Sequence, residues 1–226
     1  MKLHISSIQP FLCLDGIDLV TDARRARINT YVQTADQARC LVAGLLLRKV
    51  CGVTADSQLR LGEQGKPYLK NSGSFFNISH SGDYVVLATA DSEIGVDIEK
   101  IAPADDAVAA RCFTAEEQEW IQCKKNDEAF FTLWTAKESV MKGTGLGLSL
   151  LPETFCVLPI DASPHYIAGR VWFLNWLVYN GHVICTATQG KAEKMESLIV
   201  SPDELRLSPE NNVPSFPRKR ESRRTV

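Results

Sequence analysis

The sequence predicts an α+β protein built from two similar lobes packed side by side. Three observations carry that expectation. At 226 residues the chain is long enough for one large domain or two small ones. A helical pattern followed by strand-like segments occurs twice along it. Two of those segments, GDYVVLATADSE and NGHVICTATQG, are alike, as an internal duplication would leave them. The stretch Ile101 to Ala107 marks the expected boundary. It gives an N-terminal lobe over 1–104, a C-terminal lobe over 105–200 and a tail over 201–226.

The elements follow in order. MKLHISSIQPFLCLDGIDL is a short apolar stretch broken by Pro10 and followed by acidic residues, which predicts a first strand and not a signal peptide. Between 36 and 50, Ala38, Leu41, Val42, Leu45, Leu46 and Val50 recur at helical spacing, and Gly52 supplies a stop. A basic turn, GEQGKPYL, leads into the strands DYVVLATA and EIGVDIE. Residues 114–123 predict a helix capped by Thr114, with Glu117 in capping-box spacing. A longer helix over 127–142 puts Phe130, Leu133, Trp134 and Met141 on one side and ends at GTGLGL. Strands are then expected in FCVLPI, YIAGRVWFLNWLVYN and HVICTAT. From Ser201 the chain turns proline-rich and charged without apolar periodicity, so a disordered tail is expected, its RKRESRR end solvated.

Composition narrows the function classes. Hydrophobic residues at 45% and charged residues at 23% suit a globular protein, and a net charge of −2 excludes the global field of a nucleic-acid binder. Seven cysteines without a CxxC pair predict reduced thiols in a cytoplasmic protein, and the four scattered histidines offer no zinc spacing. No run approaches the roughly 18 apolar residues that span a bilayer.

Chemistry concentrates in a few places. In GVDIE, Asp97 and Glu99 are two apart on a strand and share a face, with Val96 and Ile98 turned to the core. Glu138 follows Trp134 by one helical turn and precedes Lys142 by another, and Lys137 adds a second base. Were Glu138 to meet Asp97 and Glu99, the all-oxygen site would suit magnesium gripping a pyrophosphate. Arg24, Arg25, Arg27, Arg39 and Lys66 are basic residues able to hold phosphates. His80, between Ser79 and Ser81, is expected in an exposed turn where it can donate to phosphate. These features leave open another magnesium-dependent nucleotide enzyme, such as a pyrophosphatase or nucleotidyl transferase. They also leave open a binding module without catalysis, although the intact carboxylate trio argues against that.

The ordered stretches GEQGKPYL, FNISHSGDYVV, IGVDIEK and LWTAKESVMKGTGLGLSL resemble the Sfp-type 4'-phosphopantetheinyl transferases, over roughly residues 20–190. The resemblance implies two lobes related by a pseudo-twofold axis, with coenzyme A between them. It implies magnesium ligands at Asp97, Glu99 and Glu138, a phosphate contact at Lys142 and a catalytic pair in Glu138 and Lys142. Lys66 and Pro67 would hold the nucleotide end, Ser79 and His80 the phosphates, and Arg24 and Arg27 the 3'-phosphate side, with Asp97 also among the coenzyme-binding residues. The family often has a threonine where this chain has Cys40, which bears on one adenine-side hydrogen bond. The implied reaction moves phosphopantetheine from coenzyme A to a serine of an apo acyl or peptidyl carrier protein and releases adenosine 3',5'-bisphosphate. Cys112 to Ile121, with Phe113 and Trp120, is a candidate carrier-facing surface. The duplication makes a monomer sufficient, and neither nucleic acid nor membrane is an expected partner.

Overall fold

The computed structural model describes residues 1–70 and 72–207 and is α+β. Its strands are β1 (Lys2–Ser7), β2 (Leu59–Leu61), β3 (Pro67–Leu69), β4 (Phe75–Ser81), β5 (Tyr84–Ala90), β6 (Ile94–Lys100), β7 (His165–Ile167), β8 (Arg170–Tyr179), β9 (His182–Gln189) and β10 (Glu196–Ile199). Its helices are α1 (Asp22–Ile28), α2 (Thr34–Cys51), α3 (Asp106–Cys112), α4 (Ala115–Lys124), α5 (Asp127–Thr144) and α6 (Pro202–Arg206).

The strands form two four-stranded sheets, ordered β10-β1-β5-β4 and β6-β9-β8-β7, and a small β2-β3 hairpin. Side-chain alternation along the strands fixes how the layers stack. Val85 and Leu87 of β5 pack on Leu41 and Leu45 of α2. The other face of the same sheet presents Leu3, Ile5, Val86 and Ala88 to Val96, Ile98 and Ile184 of the second sheet. Beyond that sheet, Cys185 and Ala187 meet Leu133 and Val140 of α5. The order is helix, sheet, sheet, helix. Val96 and Ile98 face the core as their spacing predicts, and Thr114 with Glu117 forms the expected capping box.

Several segments differ from expectation. β6 pairs with β9, so the chain enters the second sheet at Ile94, upstream of the boundary expected after residue 104, and β10 returns to pair with β1. FCVLPI is not a strand, because side chains satisfy its backbone. Glu117 Oε1 accepts from the Val157 amide at 2.9 Å, and the Lys137 ammonium donates to the Phe155 carbonyl at 2.6 Å. YIAGRVWFLNWLVYN is a hairpin, turning at Ala168 and Gly169, both with positive φ. The helices α1 and α3, at seven residues each, are too short to show a period. The tail does not begin at Ser201: α6 is capped by the Ser201 hydroxyl, and Leu205 is fully buried in the α2 core. Its remainder, including RKRESRR, lies outside the described residues. Among the described residues, no helix is long and apolar enough to cross a membrane.

Candidate active site

Two edge strands meet at the site. β4 closes the first sheet and β6 the second, and alternate side chains of β4 bridge them. Asn77 Oδ1 accepts from the Val96 amide at 3.0 Å. The Ser79 hydroxyl donates to Asp97 Oδ1 at 2.8 Å. The Ser81 hydroxyl donates to Glu99 Oε2 at 2.8 Å and accepts from the Lys100 amide at 3.1 Å. Ser79 and His80 therefore lie in a strand, not a turn; the turn is Gly82–Asp83. Asn77 and Ser81 were not among the expected site residues. The signal for them was the polar alternation in FNISHS.

The helix α5 covers the Asp97–Glu99 face of β6. It lies close because Gly95 and Gly143 have no side chains: a Cβ at Gly95 would overlap the backbone of Ser139 and Gly143. This brings Lys142 onto Asp97, with its ammonium 2.5 Å from Asp97 Oδ1 and 2.9 Å from the Ser79 hydroxyl. Asp97 is buried, and its Oδ2 has no hydrogen-bond partner. Burial pushes the Glu99 carboxyl up, and the Asp97 charge adds to it, against the pull of Ser81 and Lys142. Burial and then Asp97 push Glu138 up likewise, while Lys142 opposes them. Lys137 points away from this group. It forms a fully buried ion pair with Glu117 at 2.7 Å.

Odd and even residues of β4 serve opposite faces, so His80 turns from the carboxylates to a cavity of about 210 Å³. Arg24, Arg27, Tyr31, Cys40 and Pro67 line it too. Four predicted coenzyme contacts, Arg24, Arg27, Pro67 and His80, thus share one cavity. Partial burial at this cavity, with Lys142 and Arg39 nearby, holds the His80 imidazolium below the ordinary histidine range, although the residue keeps an exposed edge. The Arg24 guanidinium reaches Cys40 Sγ at 3.8 Å. Arg39 is tied to Asp36 and to the Gly82 carbonyl, so it supports the β4–β5 turn. A larger cavity, about 540 Å³, lies between β1, β10 and the end of α2 and contains none of the predicted site residues.

Lys66 is placed differently from the other predicted contacts. It is buried, and its ammonium donates to Glu93 Oε2 at 2.7 Å, to the Ile94 carbonyl at 3.0 Å and to the Gly143 carbonyl at 2.8 Å. Three donors are thus engaged within the protein, which leaves this lysine no donor for a phosphate. Phe113 is likewise core, packed edge-on against Phe130, and Trp120 and Ile121 pack against the same core.

Asp97, Glu99 and Glu138 offer oxygen donors of the kind a hard divalent cation takes, and the orphaned buried Oδ2 of Asp97 fits that use. Among the described residues, no three His, Cys, Asp or Glu side chains stand gathered to hold a metal ion. Lys142 is the cation facing Asp97.

Two family models match consecutive stretches of the chain. Residues 13–92 match the N-terminal model of 4'-phosphopantetheinyl transferases, and residues 93–187 match the 4'-phosphopantetheinyl transferase superfamily model. The chain belongs to the 4'-phosphopantetheinyl transferase superfamily. The two matches abut between β5 and β6, where the chain passes from the first sheet to the second. Among curated relatives, the 4'-phosphopantetheinyl transferase Sfp of Bacillus subtilis (strain 168) is 32% identical over 171 residues, 67% of this chain and 76% of that protein. The transferase psf-1 of Bacillus pumilus is 45% identical over 157 residues, 66% of this chain and 64% of that one. The transferase gsp of Aneurinibacillus migulanus is 36% identical over 135 residues, and the match spans 56% of each chain.

Proposed function

We propose that this superfamily member transfers the 4'-phosphopantetheine group of coenzyme A to a serine of an apo acyl or peptidyl carrier protein, acting in the cytoplasm. One observation carries the reading: β4 holds His80 on the basic cavity and Ser79 on the buried carboxylate, so a pocket suited to anions adjoins an acidic centre. Arg24, Arg27 and His80 supply donors for the phosphates at the nucleotide end. Asp97, Glu99 and Glu138 would hold a divalent cation, magnesium by the family's chemistry, with side-chain rotation at the two glutamates. When bound, that ion neutralises charge on the pyrophosphate.

In the reaction the carrier serine oxygen bonds to the phosphorus nearest pantetheine, and the bond from that phosphorus to the bridging oxygen breaks. Adenosine 3',5'-bisphosphate leaves with the bridging oxygen. Glu138 is the candidate to accept the serine proton, directly or through water, because burial and the Asp97 charge raise its proton affinity. Lys142, already holding Asp97 and Ser79, would stabilise negative charge on the leaving group.

The test is to incubate the protein with coenzyme A, magnesium and several apo-carriers and to weigh the carriers. A gain of one phosphopantetheine mass that requires both coenzyme A and magnesium is expected. Labelling that persists in excess chelator removes the metal assignment, and no labelling of any carrier type removes the function.

A further inference from the structure

The buried lysine of the GKP turn has a position no phosphate ligand needs. Gly143 lies in the last turn of α5, one residue past Lys142 and five past Glu138. Helix-end carbonyls lack partners within the helix, and a cation there also meets the negative end of the helix dipole. Lys66 satisfies the Gly143 carbonyl at 2.8 Å. With the same ammonium it holds the carbonyl of Ile94, which opens β6 three residues before Asp97, and it pairs with Glu93. One buried group therefore joins the element carrying Glu138 and Lys142 to the element carrying Asp97 and Glu99. Its neighbour Pro67 lines the cavity with Arg24, Arg27 and His80.

We propose that Lys66 is a positioning residue: it clamps the end of α5 to the start of β6, and through Pro67 it ties that alignment to the coenzyme cavity. The inference rests on the transferase reading for its kinetic consequence but not for the clamp itself. A clamp, a phosphate ligand and a purely structural lysine predict different outcomes. Loss of a clamp slows the chemical step, because small misplacements of reacting groups are costly, while ground-state affinity for coenzyme A survives. Loss of a ligand weakens affinity. Loss of a purely structural lysine lowers the melting temperature and neither of the others.

The experiment compares wild type with Lys66→Met, Lys66→Arg and Glu93→Gln, well below their melting temperatures. It measures turnover with an apo-carrier, coenzyme A affinity by calorimetry, and amide hydrogen exchange across the last turn of α5. For Lys66→Met, turnover is expected to fall about tenfold or more with coenzyme A affinity within about twofold of wild type. Exchange over 143–147 should quicken, and Lys66→Arg should recover part of both effects, since its guanidinium can still donate to the carbonyls. If Lys66→Met does not fold, Lys66→Arg and Glu93→Gln should show the same split in smaller measure. Weakened affinity at unchanged turnover makes Lys66 a ligand and overturns the proposal, and so does unchanged exchange. Absence of transfer in wild type itself would instead sink the functional reading, with the exchange result still deciding the clamp.

Discussion

Asp97 has one carboxylate oxygen held twice, by Ser79 and Lys142, and a second, buried oxygen held by nothing in the protein. Its neighbours Glu99 and Glu138 are acids pushed up by burial and by Asp97. Such a group is expected to bind a cation tightly and to tolerate loss of one member poorly. Glu138→Gln keeps size and removes charge. Turnover should fall about 10²–10⁴-fold if Glu138 accepts the serine proton. A magnesium titration separates its roles: full rescue at high magnesium leaves it a ligand only, and turnover that stays low marks the base. On the other face of β4, Arg24→Ala should chiefly raise the Michaelis constant for coenzyme A. Dephospho-coenzyme A, lacking the 3'-phosphate, should be less affected, and equal sensitivity of both would show that Arg24 does not read that phosphate. The two-residue spacing made the shared face of Asp97 and Glu99 legible. It did not show that α5 covers the face, because that depends on Gly95, a residue without a side chain to signal it.

At the scale of elements, the docking of α5 on β6 depends on paired glycines. Any Cβ at position 95 meets backbone rather than a flexible side chain. Gly95→Ala should therefore cost about 1–3 kcal/mol or more and reduce turnover with it. Chemical denaturation with parallel activity measurements checks this, and an unchanged midpoint would show the contact can relax. The buried pair Glu117–Lys137 anchors the other side of α5. Glu117 caps α4 through the Thr114 amide, holds the Val157 amide and pairs with Lys137, all without solvent exposure. Glu117→Ala leaves a buried ammonium without its counter-charge, and about 3–5 kcal/mol of stability should be lost. Sequence spacing grouped Lys137 with Glu138 and Lys142, yet adjacent residues on a helix point about 100° apart. The capping box was legible because it is local. The strand expected in FCVLPI was not, because its backbone partners are side chains distant in sequence.

At the scale of the molecule, chain order and layer order differ. β10 and α6, the last described elements, return to the N-terminal core, where Leu205 is fully buried and the Arg48 guanidinium donates to the Leu207 carbonyl at 2.9 Å. Composition alone merged α6 with the charged residues beyond it. Leu205→Ala should cost about 2–5 kcal/mol, read as a lowered denaturation midpoint, whereas a solvated position would cost nothing. The layered burial also sets a pH response. His4 and His165 are buried, and each has a ring nitrogen without a hydrogen-bond partner. Burial holds the pKa of both below the ordinary histidine value near 6.5, outweighing the backbone contact at Leu87 for His4 and the nearby Asp161 for His165. The unfolded chain therefore takes up these protons first as pH falls. Stability is unaffected by them above that value, declines as pH drops through it, and the penalty is complete below the folded-state pKa. Each contributes at most about 1.4 kcal/mol per pH unit within that window. Glu99 and Glu138 act in the opposite direction, because their folded-state values are raised and protonation favours the folded chain. Net destabilisation between pH 7 and pH 5 is expected where the histidine contribution exceeds that of the two glutamates. A variant carrying His4→Gln and His165→Gln isolates the histidine part, and its stability should fall less steeply than wild type over that range in denaturant titrations at fixed temperature. Equal slopes for wild type and variant would show that these rings accept protons in the folded chain as readily as in the unfolded one.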